Sequence, residues 1–413
     1  MNRLFRSCFL PLFGFAVSMV PLEQDLQLTQ IIALAMEHNP RLHARQEDLI
    51  ASQEQIRISG SWPDPQVSLG WYQTPVETRE GPQQSKIALR QAIPWPTRLL
   101  VERDQARLQT QSIELQWHQD QLNLIRQIKE DYAELEFLVL SQQILTHQLI
   151  SLDQLVAVME VRYQNAQTEH PDLIRLQIDL LMLQDQLASV TAYEPVLLTR
   201  LERLIGTTLP FKLQFSSADG SLPEPQFNPL NIDGNPLLVQ MKLARDSAEL
   251  AVLNSKLKTR PNLTFGVEYM ELGGTDSDPL AGTLGFSLPI WWGRNQARIE
   301  KARAYARSQQ YLYQDAEQDL AWRLQKKQNQ LADTWRSLNL YHESMIPLAR
   351  AHYNISETGY LAGNESYDDY QQSYRQLLNL TLEAGRIRAD YRQALAQYEE
   401  LVNPFYGELN EKQ

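Results

Sequence analysis

The sequence predicts a mainly α-helical chain with a small β part, in which one structural plan occurs twice. Asn39 precedes a helical segment that leads into the alternating motif PQVSLGWY at residues 65–72. Asn235 precedes an equivalent segment that leads into PNLTFGVE at residues 261–268, and the offset is 196 residues at both ends. A very long stretch of helical periodicity follows each motif. Because an internal repeat defines the architecture, we expect two halves of similar structure.

Composition excludes some classes of partner. The 413 residues carry a formal net charge of −12, and 43% of them are hydrophobic, which is enough for packed cores. An acidic balance argues against a nucleic-acid partner, which would need a basic face. The single cysteine, Cys8, lies in the N-terminal segment, so cysteine usage does not indicate a redox compartment.

Residues 1–20 have the pattern of an export signal. Arg3 and Arg6 form a positive end, and an apolar stretch follows at residues 8–19. The stretch is short for a membrane-spanning helix; the alternative is an uncleaved anchor. Beyond residue 20 no run of about 18 apolar residues predicts a membrane-spanning helix.

The first repeat, residues 21–206, begins with short helices and two strands. Proline residues in SWPDP break the helical pattern, and residues of alternating polarity follow. A polar stretch at residues 73–85 predicts a loop between the strands. The predicted elements are helices at 26–38 and 40–59 and strands at about 65–73 and 85–93.

The rest of this repeat, at about 97–205, predicts a long helical hairpin. Residues 97–165 contain no proline and no glycine, a length of roughly 100 Å as a helix. The chain then reverses, and the returning helix carries apolar residues in 3-4 spacing, which favours a knobs-into-holes seam. This stripe consists of Leu173, Leu176, Leu180, Leu183, Leu187, Val190, Leu197 and Leu204.

Residues 207–233 predict an irregular linker, and residues 234–405 repeat the plan of the first half. The heptad positions of the second returning helix lie 197 residues after those of the first. The change in offset from 196 to 197 indicates one inserted residue, which we place between strand and hairpin. Residues 406–413 are a C-terminal tail. The elements predicted for the second repeat are a short helix, strands at about 261–271 and 280–289, and a helical hairpin at about 294–402.

Two β-hairpins per chain predict a barrel shared between several copies. A lone hairpin is marginally stable, and its edges carry unpaired backbone groups. In lipid, only helices and closed barrels satisfy the backbone. The strands alternate in polarity and have aromatic ends, as membrane barrels do. From the heptads alone, the alternative is an antiparallel coiled-coil rod with a solvated outside.

Several motifs carry a resemblance to a known family. They are ALAMEHNPRLHARQEDL, the junctions WPDPQVSLGW and RPNLTFGVEY before the strands, the junctions IPWPTR and LPIWWGRNQA after them, and the duplicated hairpin. In this order and spacing, the chain resembles the TolC-like outer-membrane efflux family. The form of the repeat most resembles its metal-cation branch, the CzcC-like and CusC-like proteins.

The resemblance implies a homotrimer in the outer membrane of a Gram-negative bacterium. Four strands per chain would form one 12-stranded transmembrane β-barrel in outer-membrane lipid, and the helical hairpins would form a periplasmic tunnel. Such a protein is a passive exit duct that docks with a periplasmic adaptor and an inner-membrane pump, here of RND type. The alternative is a periplasmic coiled-coil structural or adaptor protein without a channel. The cargo stays open between metal ions, drugs and a secreted polypeptide.

In this family the gate lies at the turns of the two helical hairpins. Matching the motifs places Asp172 at the acidic position of the first turn, and Tyr360 and Asp369 at the tyrosine and aspartate of the second. Gln372 lies where many members have a further aspartate, and Glu365 where a gate arginine often lies. The resemblance therefore implies that the gate arginine is absent at this position.

The two turns themselves are candidates for adaptor contact. Gly363 is a typical turn glycine, whereas Ala166 lies where family members usually have glycine. Asp368 and Asp369 suggest a ring of carboxylates in a trimer, and such rings select cations. The alternative is that these two acids only cap the start of a helix.

No motif for catalysis, a metal or a cofactor was found. The seven histidines are scattered, and no HExxH motif, Cys-His set, P-loop, GxSxG or GxGxxG is present. We therefore predict a protein without enzymatic activity, metal site or cofactor.

Overall fold

The computed structural model describes residues 24–165, 170–211, 213, 215, 222, 224–227, 234–274 and 278–402. The predicted export signal, part of the linker and the C-terminal tail lie outside these ranges. A π-helical turn, Tyr341–Met345, joins α6 to α7. The other elements are α1 (Gln24–His38), α2 (Pro40–Ser59), β1 (Gln66–Thr78), β2 (Gly81–Ile93), α3 (Pro96–Gln164), α4 (His170–Ile205), α5 (Pro236–Leu257), β3 (Leu263–Leu272), β4 (Leu280–Phe286), α6 (Trp292–Leu340), α7 (Ile346–Ala362) and α8 (Tyr367–Val402).

The repeat is visible in matching helix caps. The Asn39 side chain accepts a hydrogen bond from the backbone N–H of Leu42 and donates one to the carbonyl oxygen of Leu204, 2.6 Å away. Asn235 makes the equivalent bonds, and its amide lies 2.7 Å from the carbonyl oxygen of Leu401. Each asparagine thus starts a short helix and fixes it to the end of the returning helix of its own repeat.

The inserted residue lies inside the long helix of the second repeat, not between strand and hairpin. Helices α3 and α6 begin 196 residues apart, at Pro96 and Trp292. Helices α4 and α8 both have 36 residues and begin 197 apart, at His170 and Tyr367. The π-helical turn lies between these two points and contains one residue more per turn than an α-helix. The π-helical turn precedes Pro347. Proline has no backbone N–H, so an unbroken α-helix would lack one hydrogen bond at this position.

The apolar stripes form the core. The predicted stripe of α4 packs against α3, where its members are buried or half-buried. One window of α3 is apolar enough for a bilayer span. Of this window 22% is buried inside the structure, and α3 leucines such as Leu138 and Leu145 belong to these protein cores.

The polar residues of 119–136 do not form a free, solvated face. They pair with the C-terminal half of α8. Arg126 contacts Glu400 at 2.7 Å, Glu134 contacts Arg386 at 2.8 Å, and Glu136 contacts Arg392 at 2.6 Å. This polar seam joins the first repeat to the last helix of the second.

The four strands form one antiparallel sheet in the order β1-β2-β3-β4. The polar loop expected at residues 73–85 is wrong, because β1 and β2 continue through it to a tight turn between Thr78 and Gly81. Gly81 has a φ of 138°, which other residues rarely adopt. The hairpin is therefore longer than polarity indicated, since strand residues at its end face solvent on both sides.

The sheet has one apolar and one polar face. Paired residues share a face, and the pairs Val67–Leu89 and Leu69–Ile87 continue through β3 into the pair Phe265–Leu284. These side chains are exposed and are not covered by the helices of the chain. The opposite face carries Ser68, Arg90, Thr264, Thr283 and the ion pair Lys86–Glu268 of 3.0 Å.

Candidate functional site

The turns of the two helical hairpins lie together at the end far from the sheet. Arg162, in the last turn of α3, donates a hydrogen bond of 2.6 Å to the carbonyl oxygen of Leu361 near the end of α7. The described candidate residues lie at this end, from the end of α7 to the second turn of α8 and in the first turn of α4. Ala166 lies outside the described residues.

A buried carboxylate joins α4 to α8. Asp179 is 8% exposed. Its oxygens accept hydrogen bonds from the Tyr367 hydroxyl at 2.9 Å, from Nη2 of Arg375 at 2.7 Å, and from the Gln371 amide. Three donors, one of them charged, compensate the burial of the charge. Asp179 is therefore the central polar contact between the N-terminal parts of α4 and α8.

A second ion pair lies nearer the turns and is exposed. Arg175 of α4 contacts Asp368 of α8 at 2.9 Å, and both side chains are more than half exposed. Asp369 accepts a hydrogen bond of 2.6 Å from the Ser366 hydroxyl, and the same hydroxyl accepts the backbone N–H of Asp369. Asp368 thus makes a contact between α4 and α8, whereas Asp369 contacts Ser366, whose hydroxyl caps the start of α8.

Five tyrosines pack between α7 and α8. The rings of Tyr360 and Tyr370 stack with centroids 5.3 Å apart, and Tyr370 and Tyr374 stack at 6.3 Å. Tyr353 and Tyr367 contact the same group of rings. Burial raises the pKa of each of the five hydroxyls, so all remain neutral at physiological pH. This cluster fixes α7 against α8 at the tip.

Asp172 of α4 lies near enough to Tyr360 of α7 for its charge to act on the tyrosine. Burial, then the charge of Asp172, raises the pKa of Tyr360 to about 12, and the opposing charge of Arg162 acts in the other direction. The tyrosine hydroxyl is buried without a hydrogen bond in this structure. The charges that act on Tyr360 therefore belong to Asp172 and Arg162, which both lie on the first hairpin.

The second turn has a regular helix end. Gly363 is left-handed with φ 78°, and its N–H bonds to the carbonyl oxygen of Tyr360 at 3.1 Å. The Glu365 side chain folds back against Gly359, where an added Cβ would lie 2.9 Å from it. Gln372 is exposed on α8. Among the hydrogen bonds and ion pairs of the described residues, none joins Glu365 or Gln372 to the first hairpin.

Sequence reasoning missed the strongest contacts of this region. Arg175 and Arg375 form ion pairs with Asp368 and Asp179, at positions other than the one that the motifs match to a gate arginine. Two signals were present. The acid Asp179 follows Leu176 by three residues on the apolar stripe, and the tyrosines recur at intervals of seven, seven, three and four residues, at Tyr353, Tyr360, Tyr367, Tyr370 and Tyr374.

Comparison with known proteins supports the resemblance at family level. Residues 232–403, which span the second repeat, match the sequence model of the family described as outer membrane efflux protein. A comparison with curated protein sequences finds no match. The family match thus covers the second repeat and not the first.

Solved structures with this fold cover about nine-tenths of the chain. A structure of CusC, described in terms of folding and transmembrane channel formation, has a TM-score of 0.79 at 15% identity and covers 91% of this chain and 92% of its own. The outer membrane protein VceC from Vibrio cholerae has a TM-score of 0.76 at 16% identity and covers 91% and 96%. The MtrE outer membrane channel from Neisseria gonorrhoeae, in its open state, has a TM-score of 0.76 at 14% identity and covers 91% and 88%.

The chain thus has the fold of a class of outer-membrane channels built from long helical hairpins and a small sheet. Within that class, its second repeat matches the sequence model of the outer membrane efflux proteins, which agrees with the TolC-like resemblance. The matched model and structures are described as outer membrane efflux and channel proteins, which agrees with the predicted location.

Proposed function

We propose that the chain is a subunit of an outer-membrane channel that serves as the passive exit duct of a tripartite efflux system. The apolar face of the four-stranded sheet carries this proposal. Large side chains such as Val67, Leu69, Trp71 and Leu284 are 56–76% exposed on it. A face of this size and composition requires a cover.

Lipid fits this face better than a protein partner does. The sheet presents apolar residues on one side and polar residues on the other, as a membrane barrel does. Its outer strands, β1 and β4, each have one unpaired edge. Three copies would join edge to edge into a closed ring of 12 strands and leave no free backbone groups in lipid. A periplasmic spacer without a channel, the alternative, gives no reason for such a face.

We place the gate at the hairpin tips, where Asp172 faces Tyr360 and where Glu365, Asp368, Asp369 and Gln372 lie on the second hairpin. In a trimer, Asp368 and Asp369 would bring six carboxylates to the end of the tunnel. Although Arg175 pairs with Asp368 and Ser366 bonds to Asp369, the Asp368 side chain remains largely exposed. A ring of this kind favours cations.

The acidic ring gives a test of its own. Asp368→Asn with Asp369→Asn should lower the cation preference of the open channel in planar bilayers, measured as the reversal potential in a salt gradient. Glu343→Gln is the matched control, because it removes an acid from the exposed π-helical turn away from the tip. Equal reversal potentials for the double variant and the unchanged protein would contradict the ring.

The partners and cargo follow from the same proposal. The turns that contain Ala166 and Gly363 would contact a periplasmic adaptor, and an open groove that includes the exposed Ile355 lies beside Gly363. The adaptor would connect the channel to an inner-membrane pump, of RND type by the resemblance. Metal cations are a cargo consistent with an acidic tip.

Conductance decides between the duct and the spacer. We expect the protein to require detergent, to migrate as a trimer, and to give discrete conductance steps in planar bilayers. A monodisperse monomer that is stable without detergent would contradict the proposal. Co-purification with an adaptor from cross-linked cells would then test the tripartite assembly.

A further inference from the structure

The points where strands meet helices differ in charge between the two repeats. The first-repeat junction, residues 52–65 and 94–107, contains four basic and four acidic residues. The second-repeat junction, residues 248–261 and 290–303, lies 196 residues later and contains seven basic and two acidic residues. A chain with a net charge of −12 therefore concentrates positive charge at one site.

The difference arises at equivalent positions. Asp64 of the first repeat corresponds to Arg260 of the second, and Glu102 corresponds to Arg298. Trp62 likewise corresponds to Lys258. The repeat has kept its fold here while the sign of the charge has changed, so the fold alone does not require these cations.

Ion pairing separates the two junctions further. In the first repeat Arg57 pairs with Glu54 at 2.9 Å and Arg98 with Glu102 at 2.9 Å, and Arg107 pairs with Asp104. In the second repeat Glu300 pairs with Arg303 at 2.7 Å. The remaining cations have no ion-pair partner within 4.0 Å among the residues that the structure describes. We call this group the basic collar: Lys256, Lys258, Arg260, Arg294, Arg298 and Lys301.

Large apolar side chains lie at the same level. Trp291 and Trp292 begin α6 and are 64% and 81% exposed, and Ile290 is 59% exposed. Helix α5, which carries Lys256, packs along α6. Tryptophan beside lysine and arginine at the end of an apolar sheet is typical of a membrane interface.

We propose that the basic collar binds the headgroups of anionic phospholipids. This inference rests on the proposed function, which sets the strand–helix junction at the periplasmic surface of the outer membrane, where the leaflet consists of phospholipid. The cations lie within about a Debye length of that surface, where each lysine or arginine attracts anionic lipid. Trp291 and Trp292 set the depth of the collar.

The test compares two triple variants of the full-length protein. Lys258→Gln, Arg260→Gln and Arg298→Gln remove three unpaired cations of the collar. Arg57→Gln, Arg98→Gln and Arg107→Gln remove three paired cations from the first-repeat junction, with the same change in net charge. Binding of dioleoylphosphatidylglycerol and of dioleoylphosphatidylcholine to the detergent-solubilised trimer is measured by native mass spectrometry.

We expect the unchanged protein to prefer phosphatidylglycerol, and this preference to weaken as salt rises. Each surface cation contributes about fivefold in affinity, so the collar variant should lose roughly a hundredfold at most and about tenfold at least, while the first-junction variant loses little. Salt dependence in the unchanged protein keeps the test decisive if a variant does not fold.

Three results would overturn the inference. They are equal affinity of the unchanged protein for the two lipids, equal losses in both variants, or altered ion selectivity of the channel without any change in lipid affinity, which would place the cations in the lumen. Conductance steps without a lipid preference would reject the collar alone, whereas the absence of conductance would reject the proposed function.

Discussion

A single carboxylate connects the two repeats at the tip. Asp179 accepts hydrogen bonds from three residues of α8, and one of these bonds is to the charged Arg375. The exposed pair Arg175–Asp368 joins the same two helices. Buried hydrogen-bonded charges are costly to break, whereas exposed ion pairs contribute about 0–1 kcal/mol. Asp179 should therefore contribute more than the Arg175–Asp368 pair to keeping the hairpin tip closed.

We predict that Asp179→Asn increases the open fraction of the channel. Loss of the charge weakens the bonds from Tyr367 and Arg375 by about 1–3 kcal/mol, equivalent to roughly 5- to 150-fold in the ratio of open to closed tips. Single-channel recording in planar bilayers measures this ratio. Arg175→Gln is the control and should change it little; a larger effect of the control would contradict the role of Asp179.

A second buried acid lies midway along α3. Asp131 is 3% exposed, and Arg200 of α4 lies 3.0 Å from its Oδ2. Burial raises the pKa of Asp131 from 3.8 to about 6, against the opposing effect of Arg200. Between these pH values the folded state holds a proton that the unfolded state has lost. The free energy of unfolding therefore falls as pH rises through this window.

Asp131→Asn removes that pH-dependent cost. We predict that the variant gains about 1–3 kcal/mol relative to the unchanged protein above about pH 6, and that this advantage shrinks as pH falls from about 6 to 4. Thermal unfolding in detergent at a series of pH values measures the difference. A constant difference between pH 4 and pH 8 would show that Asp131 does not titrate in this range.

At the scale of elements, the π-helical turn allows two hairpins that differ in length by one residue to pack in the same way. It lets the second hairpin contain an additional residue while the tyrosines beyond it still face α8. Ser344 lies in this turn and is exposed, and His147 is its counterpart in the continuous helix α3, at the offset of 197. A deletion in a regular helix rotates every later residue by about 100°.

We predict that deletion of Ser344 is tolerated and that deletion of His147 is not. The first deletion converts the π-helical turn to α-helix and keeps Tyr353 and Tyr360 in place. The second moves Leu152 and Met159 out of the core. Thermal unfolding of the trimer should show a small change for the first and loss of the cooperative transition for the second. Equal effects would mean that the turn does not absorb the inserted residue.

How far the sequence predicted this fold depends on the kind of signal. Long helices and their stripes repeat over many turns, so their bounds were predicted to within a few residues. The strands at residues 73–85 were missed because polar residues in a solvent-exposed hairpin resemble a loop. The contacts of Asp179 were missed because pairing between distant helices depends on their relative rotation, which one chain's periodicity does not specify.

For the whole molecule, the proposed barrel assigns the two sides of the sheet to different surroundings. Leu69 lies on the apolar side and Ser68 on the polar side of the same strand. Leu69→Arg should place a charge in lipid, at a cost of about 2–4 kcal/mol per subunit near the bilayer centre. Ser68→Arg should place it in the water-filled lumen, beside the ion pair Lys86–Glu268.

We therefore predict that Leu69→Arg prevents insertion of the trimer into lipid vesicles, whereas Ser68→Arg inserts and shifts ion selectivity towards anions. Insertion is measured as resistance of the barrel to protease and to unfolding in sodium dodecyl sulfate, and selectivity as the reversal potential. The two substitutions introduce the same side chain at adjacent positions, so each is the control of the other. If both variants insert equally well, the apolar side of the sheet does not face lipid, and the closed twelve-stranded ring is wrong.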